Sequence, residues 1–244
     1  MDEWFKEIER GRELPERALR ELLDSGFVVI PGPVAGERLS RLAEAYDSAV
    51  ASATPPDLSV GSQTTRVHDF VNRGVEFDDL YIYRPVLEAC CRVIGRPFKL
   101  SALLGRTLRP HSQAQPLHVD YKADAEGWPM VGFIFMVDDF RIDNGATRFV
   151  RGSHEWTTIP SEIMEDTTSK HEREVVACGT AGSIILFNGS VWHGHAANRS
   201  DTPRRSIQGY FIRRDDESGF NWNGRILPRT RARLSPLAEY LLAV

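Results

Sequence analysis

The chain has 244 residues, of which 41% are apolar, and a formal net charge of −4 at pH 7. A chain of this length and composition can bury a sizeable core, so we expect one domain that spans residues 1–244. The small negative charge gives no electrostatic reason to expect binding to nucleic acid or to an anionic membrane, and no apolar run approaches the length of a membrane-spanning helix.

The N-terminal stretch and the cysteines bear on the cellular location. The stretch MDEWFKEIERGRELPERAL is charged throughout and lacks the apolar core of a signal peptide. The three cysteines are an odd number, and Cys90 and Cys91 are adjacent, so they indicate no disulfide framework. We therefore expect a cytoplasmic protein whose partners are small molecules, and the sequence leaves its oligomeric state open.

The N-terminal part, up to about residue 97, has mainly helical patterns. Apolar residues recur at helical spacing in three stretches, 16–25, 39–50 and 85–94. Gly26 and Gly95 follow two of these stretches, where a left-handed residue commonly ends a helix. The segment FVVIP between the first two helices predicts a strand, and residues 51–79 have the pattern of an irregular surface segment.

From about residue 98 to residue 214 the pattern becomes that of strands. Eight short segments are rich in β-branched and aromatic residues: FKLSALL, PLHVDY, VGFIFMV, ATRFV, EVVAC, SIILF, VWHGH and RSIQGYFIR. No helical segments separate them, so they favour an antiparallel double-sheet jelly roll over an α/β sheet. The segment LSPLAEYLLAV predicts a C-terminal helix. The expected fold class is mainly β with flanking helices.

A candidate metal site begins in PLHVDY. His118 and Asp120 are two residues apart, so on an extended strand both side chains point to one face and can reach one ion. A third ligand is available in SVWHGHAAN, where His193 lies on another predicted strand. Two imidazoles and one carboxylate on one face leave coordination positions open, which suits iron(II) that must hold a cosubstrate and O2 together, although zinc can use the same residues.

A candidate anion-binding residue follows the second histidine. Arg204 comes eleven positions after His193. Its planar guanidinium can donate two parallel hydrogen bonds to the distal carboxylate of 2-oxoglutarate, while the keto-acid end of that molecule chelates iron. The neighbouring Arg205 is the weaker candidate, because adjacent residues on a strand face opposite sides.

At these residues the chain resembles the phytanoyl-CoA dioxygenase family of iron(II)- and 2-oxoglutarate-dependent oxygenases. The resemblance rests on QPLHVD, on DNGATRFVRGSH, and on the pattern formed by five residues, His193, Gly194, Asn198, Ser200 and Arg204. It implies a double-stranded β-helix of the cupin-like type, with iron(II), 2-oxoglutarate and O2 as cofactor and cosubstrates. By this resemblance His118, Asp120 and His193 bind the iron and Arg204 binds the cosubstrate.

Two further residues resemble family positions near the cosubstrate. Gln115 and Thr147 carry an amide and a hydroxyl that can donate to a carboxylate, although both also suit an ordinary turn or strand. The chain departs from the family at Arg151, where proline is usual, and at His195, where small residues are common. His195 could line the pocket or compete with His193 as a ligand, and the spacing to Arg204 favours His193.

The resemblance implies hydroxylation of a small metabolite or natural-product intermediate, with release of succinate and CO2. Desaturation, epoxidation and ring closure remain open, whereas halogenation is disfavoured because Asp120 retains the carboxylate that halogenases of the family lack. Two other classes of function use the same residues. One is a cupin-like protein that binds a metal or small molecule without redox chemistry, and the other is a zinc hydrolase.

Overall fold

A computed structural model of the chain describes residues 2–244. Ten strands are present in this range, and all the pairings between them are antiparallel. The strands are β1 Phe27–Pro31, β2 Leu58–Val60, β3 Thr64–Val67, β4 Phe98–Leu108, β5 Met130–Met136, β6 Thr147–Val150, β7 Glu174–Ala177, β8 Ser183–Asn188, β9 His193–His195 and β10 Arg204–Arg213.

The strands form two sheets. The larger sheet has seven strands in the order β1-β8-β5-β10-β4-β3-β2, and the smaller has three in the order β7-β6-β9. An apolar cluster between them joins Met130 and Ile185 of the larger sheet to Phe149 and Ala177 of the smaller sheet. The predicted class, mainly β with flanking helices in a jelly-roll arrangement, is confirmed.

The central strand β5 shows why the sequence forms this layered structure. All seven of its residues are buried. Alternation along the strand sends Phe133 and Phe135 towards the helices and Ile134 and Met136 into the space between the sheets. A strand that is buried on both faces has a continuous apolar sequence, and MVGFIFM has that character.

The described residues form eight α-helices, and an apolar cluster packs several of them on the outer face of the larger sheet. The helices are α1 Asp2–Glu9, α2 Glu16–Ser25, α3 Glu37–Ala51, α4 Asp78–Tyr81, α5 Arg84–Ile94, α6 Pro160–Ile163, α7 Pro228–Arg231 and α8 Pro236–Leu242. Gly26 and Gly95 adopt φ values of 84° and 72° and end α2 and α5, as the sequence predicts. No helix among residues 2–244 combines the length and the apolar character that crossing a membrane requires.

The structure corrects three predictions about local structure. Residues 51–79 include β2 and β3, which extend the larger sheet because β3 pairs with β4 and β2 pairs with β3. Helix α1 was not expected, because its helical residues are mostly charged, but it packs against α5 and buries Ile8 completely. The segment PLHVDY is extended without being a strand, since it makes only one bridge, between His118 and His193.

Candidate active site

A pocket between the two sheets contains all six residues that the sequence analysis assigned to the site. Its volume is about 180 Å³. The assigned residues on its wall are Gln115, His118, Asp120, Thr147, His193 and Arg204. Residues separated by almost a hundred positions in the chain are therefore neighbours in space.

Backbone hydrogen bonds bring the two histidines of the predicted metal site together. The amide of His118 donates to the carbonyl of His193 at 3.0 Å, and the amide of His193 donates back to His118 at 2.9 Å. The amide of Asp120 donates to Gly189 at 3.0 Å. The side chains of Leu117 and Val119 pack on the other side, in an apolar cluster with Trp192. The alternation predicted for His118 and Asp120 is thus present in an extended loop.

Each histidine presents the same ring nitrogen to the pocket. The Nδ1 atoms of His118 and His193 lie 3.0 Å from the carbonyl oxygens of Pro116 and Val191, which can only accept, so Nδ1 donates and carries the proton. The Nε2 atoms are left as acceptors, 3.7 and 3.6 Å from the oxygens of Asp120. The three ligand atoms of His118, Asp120 and His193 all lie within 4.8 Å of one another.

The electrostatics of this cluster suit a cation. Burial, together with the nearby ring of His193, lowers the pKa of His118 to about 4, so its imidazole is neutral near pH 7 and its Nε2 lone pair is available. The Oδ2 atom of Asp120 is buried and has no hydrogen-bond partner among residues 2–244. A buried carboxylate oxygen without a partner is costly, and a bound metal ion would satisfy it.

His195 lines the pocket without joining the cluster. It lies two residues after His193 on β9, its Nδ1 donates to the carbonyl of Ala196 at 3.0 Å, and burial lowers its pKa to about 3. The group that could hold a metal ion contains His193 and leaves His195 out. Of the two positions considered from the sequence, the structure therefore brings His193 to His118 and Asp120.

Arg204 is a buried guanidinium without an acidic partner. Only 2% of the residue is exposed, and its carbon Cζ lies 4.2 Å from the centre of the Phe140 ring. Its Nη2 donates to the carbonyl of Gly145 at 2.8 Å and its Nη1 to the hydroxyl of Ser206 at 3.3 Å, while Nε has no partner within the described chain. Burial, with Arg106 nearby, lowers the pKa of Arg204 to about 9.

Arg205 faces the opposite side of β10, as the sequence predicts. Its Nε and Nη2 atoms bond the carboxylate of Asp138 at distances of 2.6 to 3.2 Å, and its Nη1 bonds Asp47 at 2.8 Å. The guanidinium of Arg205 is therefore neutralised on the outside of the pocket. Of this pair of arginines, only Arg204 is available to an anion inside it.

Gln115 and Thr147 also lie on the pocket wall. Thr147 is 5% exposed and pairs with His195 across β6 and β9. The amide of Gln115 donates to the carbonyl of His195 at 2.9 Å, and its side-chain oxygen accepts from Nη2 of Arg106 at 3.0 Å. Both polar groups are therefore positioned near the histidines.

Sequence reasoning missed five polar residues of the pocket: Arg66, His68, Arg106, Gln208 and Tyr210. A signal for two of them exists in β10, where polar side chains recur at every second position from Arg204 to Tyr210 and the alternate positions after Arg205 are apolar or glycine. Arg106 likewise interrupts the apolar strand β4. No sequence pattern indicated Arg66, because its place in the pocket depends on the pairing of β3 with β4, which lies far along the chain.

Comparison with known proteins identifies the family. The profile of the family described as Phytanoyl-CoA dioxygenase (PhyH) matches residues 22–206. The chain belongs to the PhyH family. The family inferred from the three sequence segments is thereby confirmed, and its members are oxygenases that depend on iron and 2-oxoglutarate.

Two curated relatives of this PhyH protein are fungal dioxygenases. Dioxygenase cdmA of Talaromyces verruculosus is 37% identical over 108 residues, which are 41% of this chain and 35% of the relative. Dioxygenase af480 of Aspergillus fumigatus is 25% identical over 243 residues, which are 94% of this chain and 77% of the relative. The match to cdmA thus spans about a third of that protein, whereas the match to af480 spans most of both.

A solved structure shares the fold. The epimerase SnoN, crystallised in complex with Fe3+, alpha-ketoglutarate and nogalamycin RO, superimposes with a TM-score of 0.67. The match has 17% sequence identity and covers 87% of this chain and 90% of SnoN. At that identity the likeness shows only that SnoN and the PhyH protein share a fold.

A buried ion pair holds the loop that carries His118. Arg148 of β6 bonds Glu174 of β7 at 3.0 Å, and both side chains are less than a tenth exposed. The same guanidinium donates to the carbonyls of Gln115 at 2.8 Å and of Thr167 at 3.0 Å. The carbonyl of Thr167 also accepts from the amide of Leu117, the residue before His118. Arg148 therefore positions the loop without contacting the pocket.

We expect Arg148→Ala to lower the free energy of unfolding by about 3–5 kcal/mol, because it leaves Glu174 buried without its partner. Metal affinity should also fall, since the loop that presents His118 loses its anchor. The control is Arg141→Ala, whose ion pair with Asp143 is at least half exposed, and which should cost less than about 1 kcal/mol. Urea unfolding and metal titration measure both effects, and equal losses in the two variants would contradict the positioning role.

Proposed function

We propose that this PhyH-family protein is an iron(II)- and 2-oxoglutarate-dependent dioxygenase that hydroxylates a small molecule and releases succinate and CO2. One observation carries the proposal: the pocket that gathers His118, Asp120 and His193 also contains the buried, unpaired guanidinium of Arg204. A metal site and an anion site in one enclosed space fit a cosubstrate that chelates metal at one end and carries a carboxylate at the other.

The residues present fit iron. His118 and His193 each turn an Nε2 atom towards Asp120, which offers a carboxylate with an unsatisfied oxygen. In this proposal these three residues bind the metal, and the backbone carbonyls of Pro116 and Val191 fix the orientation of the two imidazole rings. Three protein ligands leave open positions for a cosubstrate and O2. Bound iron(II) supplies the oxidising chemistry when it reacts with 2-oxoglutarate and O2.

Arg204 is proposed to bind the distal carboxylate of 2-oxoglutarate. Ser206 and Phe140 hold the side chain from two sides, so the guanidinium is oriented before the cosubstrate arrives. Gln115 and Thr147 lie on the same wall and are proposed to donate to the cosubstrate. A buried cation that lacks a protein carboxylate binds an anion strongly, because the anion removes the cost of leaving that charge alone.

The exposure of the cluster indicates where the substrate enters. The side chain of His193 is 9% exposed, whereas those of His118 and Asp120 are 35% and 23% exposed. The open side of the pocket is therefore the side of His118 and Asp120, and buried Ile134 and Phe187 line the closed side. We propose that the substrate approaches from the open side, while the closed side excludes water from the cosubstrate.

Hydroxylation is proposed as the outcome, although the fold also supports other reactions with the same cofactors. SnoN, which shares this fold, is an epimerase crystallised with Fe3+ and alpha-ketoglutarate. Within the family the position of the substrate decides which bond is changed, and transfer of one oxygen atom to a carbon needs no further group from the protein. The binding-protein and zinc-hydrolase alternatives do not explain why Arg204 is buried without an acidic partner in the described chain.

The metal-binding roles can be tested one residue at a time. We expect His118→Ala, Asp120→Ala and His193→Ala each to weaken iron(II) binding by at least about tenfold, because each removes one of three ligands. His195→Ala is the matched control, since it removes a buried pocket histidine that lies outside the cluster. Anaerobic titration with iron(II) measures the affinities. A large loss in His195→Ala with a silent His193→Ala would reverse the assignment.

The role of Arg204 can be separated from that of its neighbour. We expect Arg204→Lys to raise the Kd for 2-oxoglutarate about 10- to 100-fold, because lysine keeps the charge and loses the planar pair of donors. Arg205→Lys should leave this Kd nearly unchanged, since Arg205 is bonded to Asp138 outside the pocket. Calorimetry on nickel-loaded protein measures the Kd without turnover. A defect in Arg205→Lys alone would contradict the proposal.

A further inference from the structure

Three arginines line the pocket, and none has an acidic partner. Arg66, Arg106 and Arg204 all face this space, and none lies within 4 Å of a carboxylate oxygen in the described part of the chain. Two arginines outside the pocket show the contrast, since Arg148 is paired with Glu174 and Arg205 with Asp138. The pocket therefore concentrates positive charge that the protein itself does not neutralise.

The cofactors of the proposed function neutralise only part of this charge. Iron(II) carries two positive charges, Asp120 one negative charge, 2-oxoglutarate two negative charges and Arg204 one positive charge, so these four groups together are neutral. Arg106 and Arg66 remain. Arg66 is exposed to solvent, but the guanidinium of Arg106 has a buried nitrogen without a partner in the described chain. An uncompensated charge there is costly, and a second anion would offset that cost when the metal and 2-oxoglutarate are bound.

The pairing of β3 with β4 places Arg66 and Arg106 next to each other. The two residues are direct partners across β3 and β4, so their side chains leave the sheet on the same face. Like charges that are directly opposite on a sheet are destabilising unless something between them compensates. The Nη2 of Arg106 donates to the neutral side-chain oxygen of Gln115, and its Nε is buried without a hydrogen-bond partner among residues 2–244.

The two arginines also differ in depth. Arg106 is next to Ser206 on β10, two positions along that strand from Arg204, whereas Arg66 is exposed on β3. Arg106 therefore lies inside the pocket, and Arg66 lies at its entrance. Burial and the neighbouring Arg66 lower the pKa of Arg106 to about 10, which leaves it charged near pH 7.

We propose that Arg66 and Arg106 form a binding site for an anionic group of the substrate, a carboxylate or a phosphate. This inference rests on the proposed function, because the charge count assumes that iron and 2-oxoglutarate occupy the rest of the site. Arg106 binds the anion inside the pocket and Arg66 meets it at the entrance. The anionic group then orients the substrate so that its reacting carbon faces the metal cluster.

Three probes with the same alkyl chain test this site: hexanoate, hexyl phosphate and the neutral hexan-1-ol. Each is titrated by calorimetry into nickel-loaded protein saturated with 2-oxoglutarate. We expect at least one anion to bind about tenfold or more tightly than the alcohol, the gain of a charge-assisted hydrogen bond. The anion that binds better identifies the chemical class. Equal binding of all three probes would overturn the inference.

Variants assign the preference to residues. Arg106→Gln should remove the preference for the anion, Arg66→Gln should reduce it, and Arg106→Lys should retain part of it because the charge remains. Arg141→Gln, a change at an exposed arginine outside the pocket, is the control and should leave it unchanged. A preference that survives Arg106→Gln would overturn the inference.

The affinity for 2-oxoglutarate distinguishes this inference from the proposed function. Arg106→Gln should change the Kd for 2-oxoglutarate far less than Arg204→Lys does. A comparable loss in Arg106→Gln would assign Arg106 to the cosubstrate and overturn the inference while leaving the proposed function in place. Failure of the unmodified, metal-loaded protein to bind 2-oxoglutarate would contradict the proposed function itself.

Discussion

Two reciprocal backbone hydrogen bonds between His118 and His193 are the interaction on which the site depends. They join an extended loop to the edge strand β9 and set the two imidazoles side by side, with ring centres 4.4 Å apart. Asp120 follows from the same geometry, because its amide is bonded to Gly189 and its side chain alternates to the same face as that of His118. Arg148 then fixes the loop by donating to the carbonyl of Gln115 within it and to the carbonyl of Thr167, which accepts from the loop. The cluster is thus determined by backbone contacts, and the side chains need little freedom to reach one ion.

Unpaired positive charge is the second organising feature of the pocket. Folding has buried Arg204 against Phe140 and has placed Arg66 and Arg106 directly opposite each other, with no carboxylate among residues 2–244 to neutralise any of them. Such an arrangement costs stability in the empty protein. Under the proposed function, anions that bind in the pocket would recover that cost. Arg205 differs, because it is bonded to two aspartates outside the pocket.

The sequence was a good guide where short-range spacing determines geometry. The two-residue spacing of His118 and Asp120 placed both side chains on one face, and this holds even though their segment is an extended loop with a single bridge. The segment fails to form a strand because Pro116 lacks a donor and because the amides of Asp120 and Tyr121 both bond Gly189. The opposite orientations of Arg204 and Arg205 also follow from local alternation along β10.

Features that depend on distant partners could not be predicted. Strands β2 and β3 are short, and the pairing of β3 with β4 is what makes Arg66 a pocket residue. Helix α1 is stabilised by the burial of Ile8 against α5, a contact that no local pattern reports. The sequence shows Arg106 as a charged residue in an apolar strand, but its place in the pocket depends on the loop that brings Gln115 next to it.

The proposed function requires this pocket to hold iron and 2-oxoglutarate together for oxidation by O2. It is tested by following the succinate that the purified protein forms from 2-oxoglutarate, with iron(II) and ascorbate, under air and under nitrogen. We expect slow succinate formation even without the substrate, dependent on both iron and O2, and inhibited when zinc replaces iron. Absence of succinate under air, in iron-loaded protein that is shown to bind 2-oxoglutarate, would contradict it.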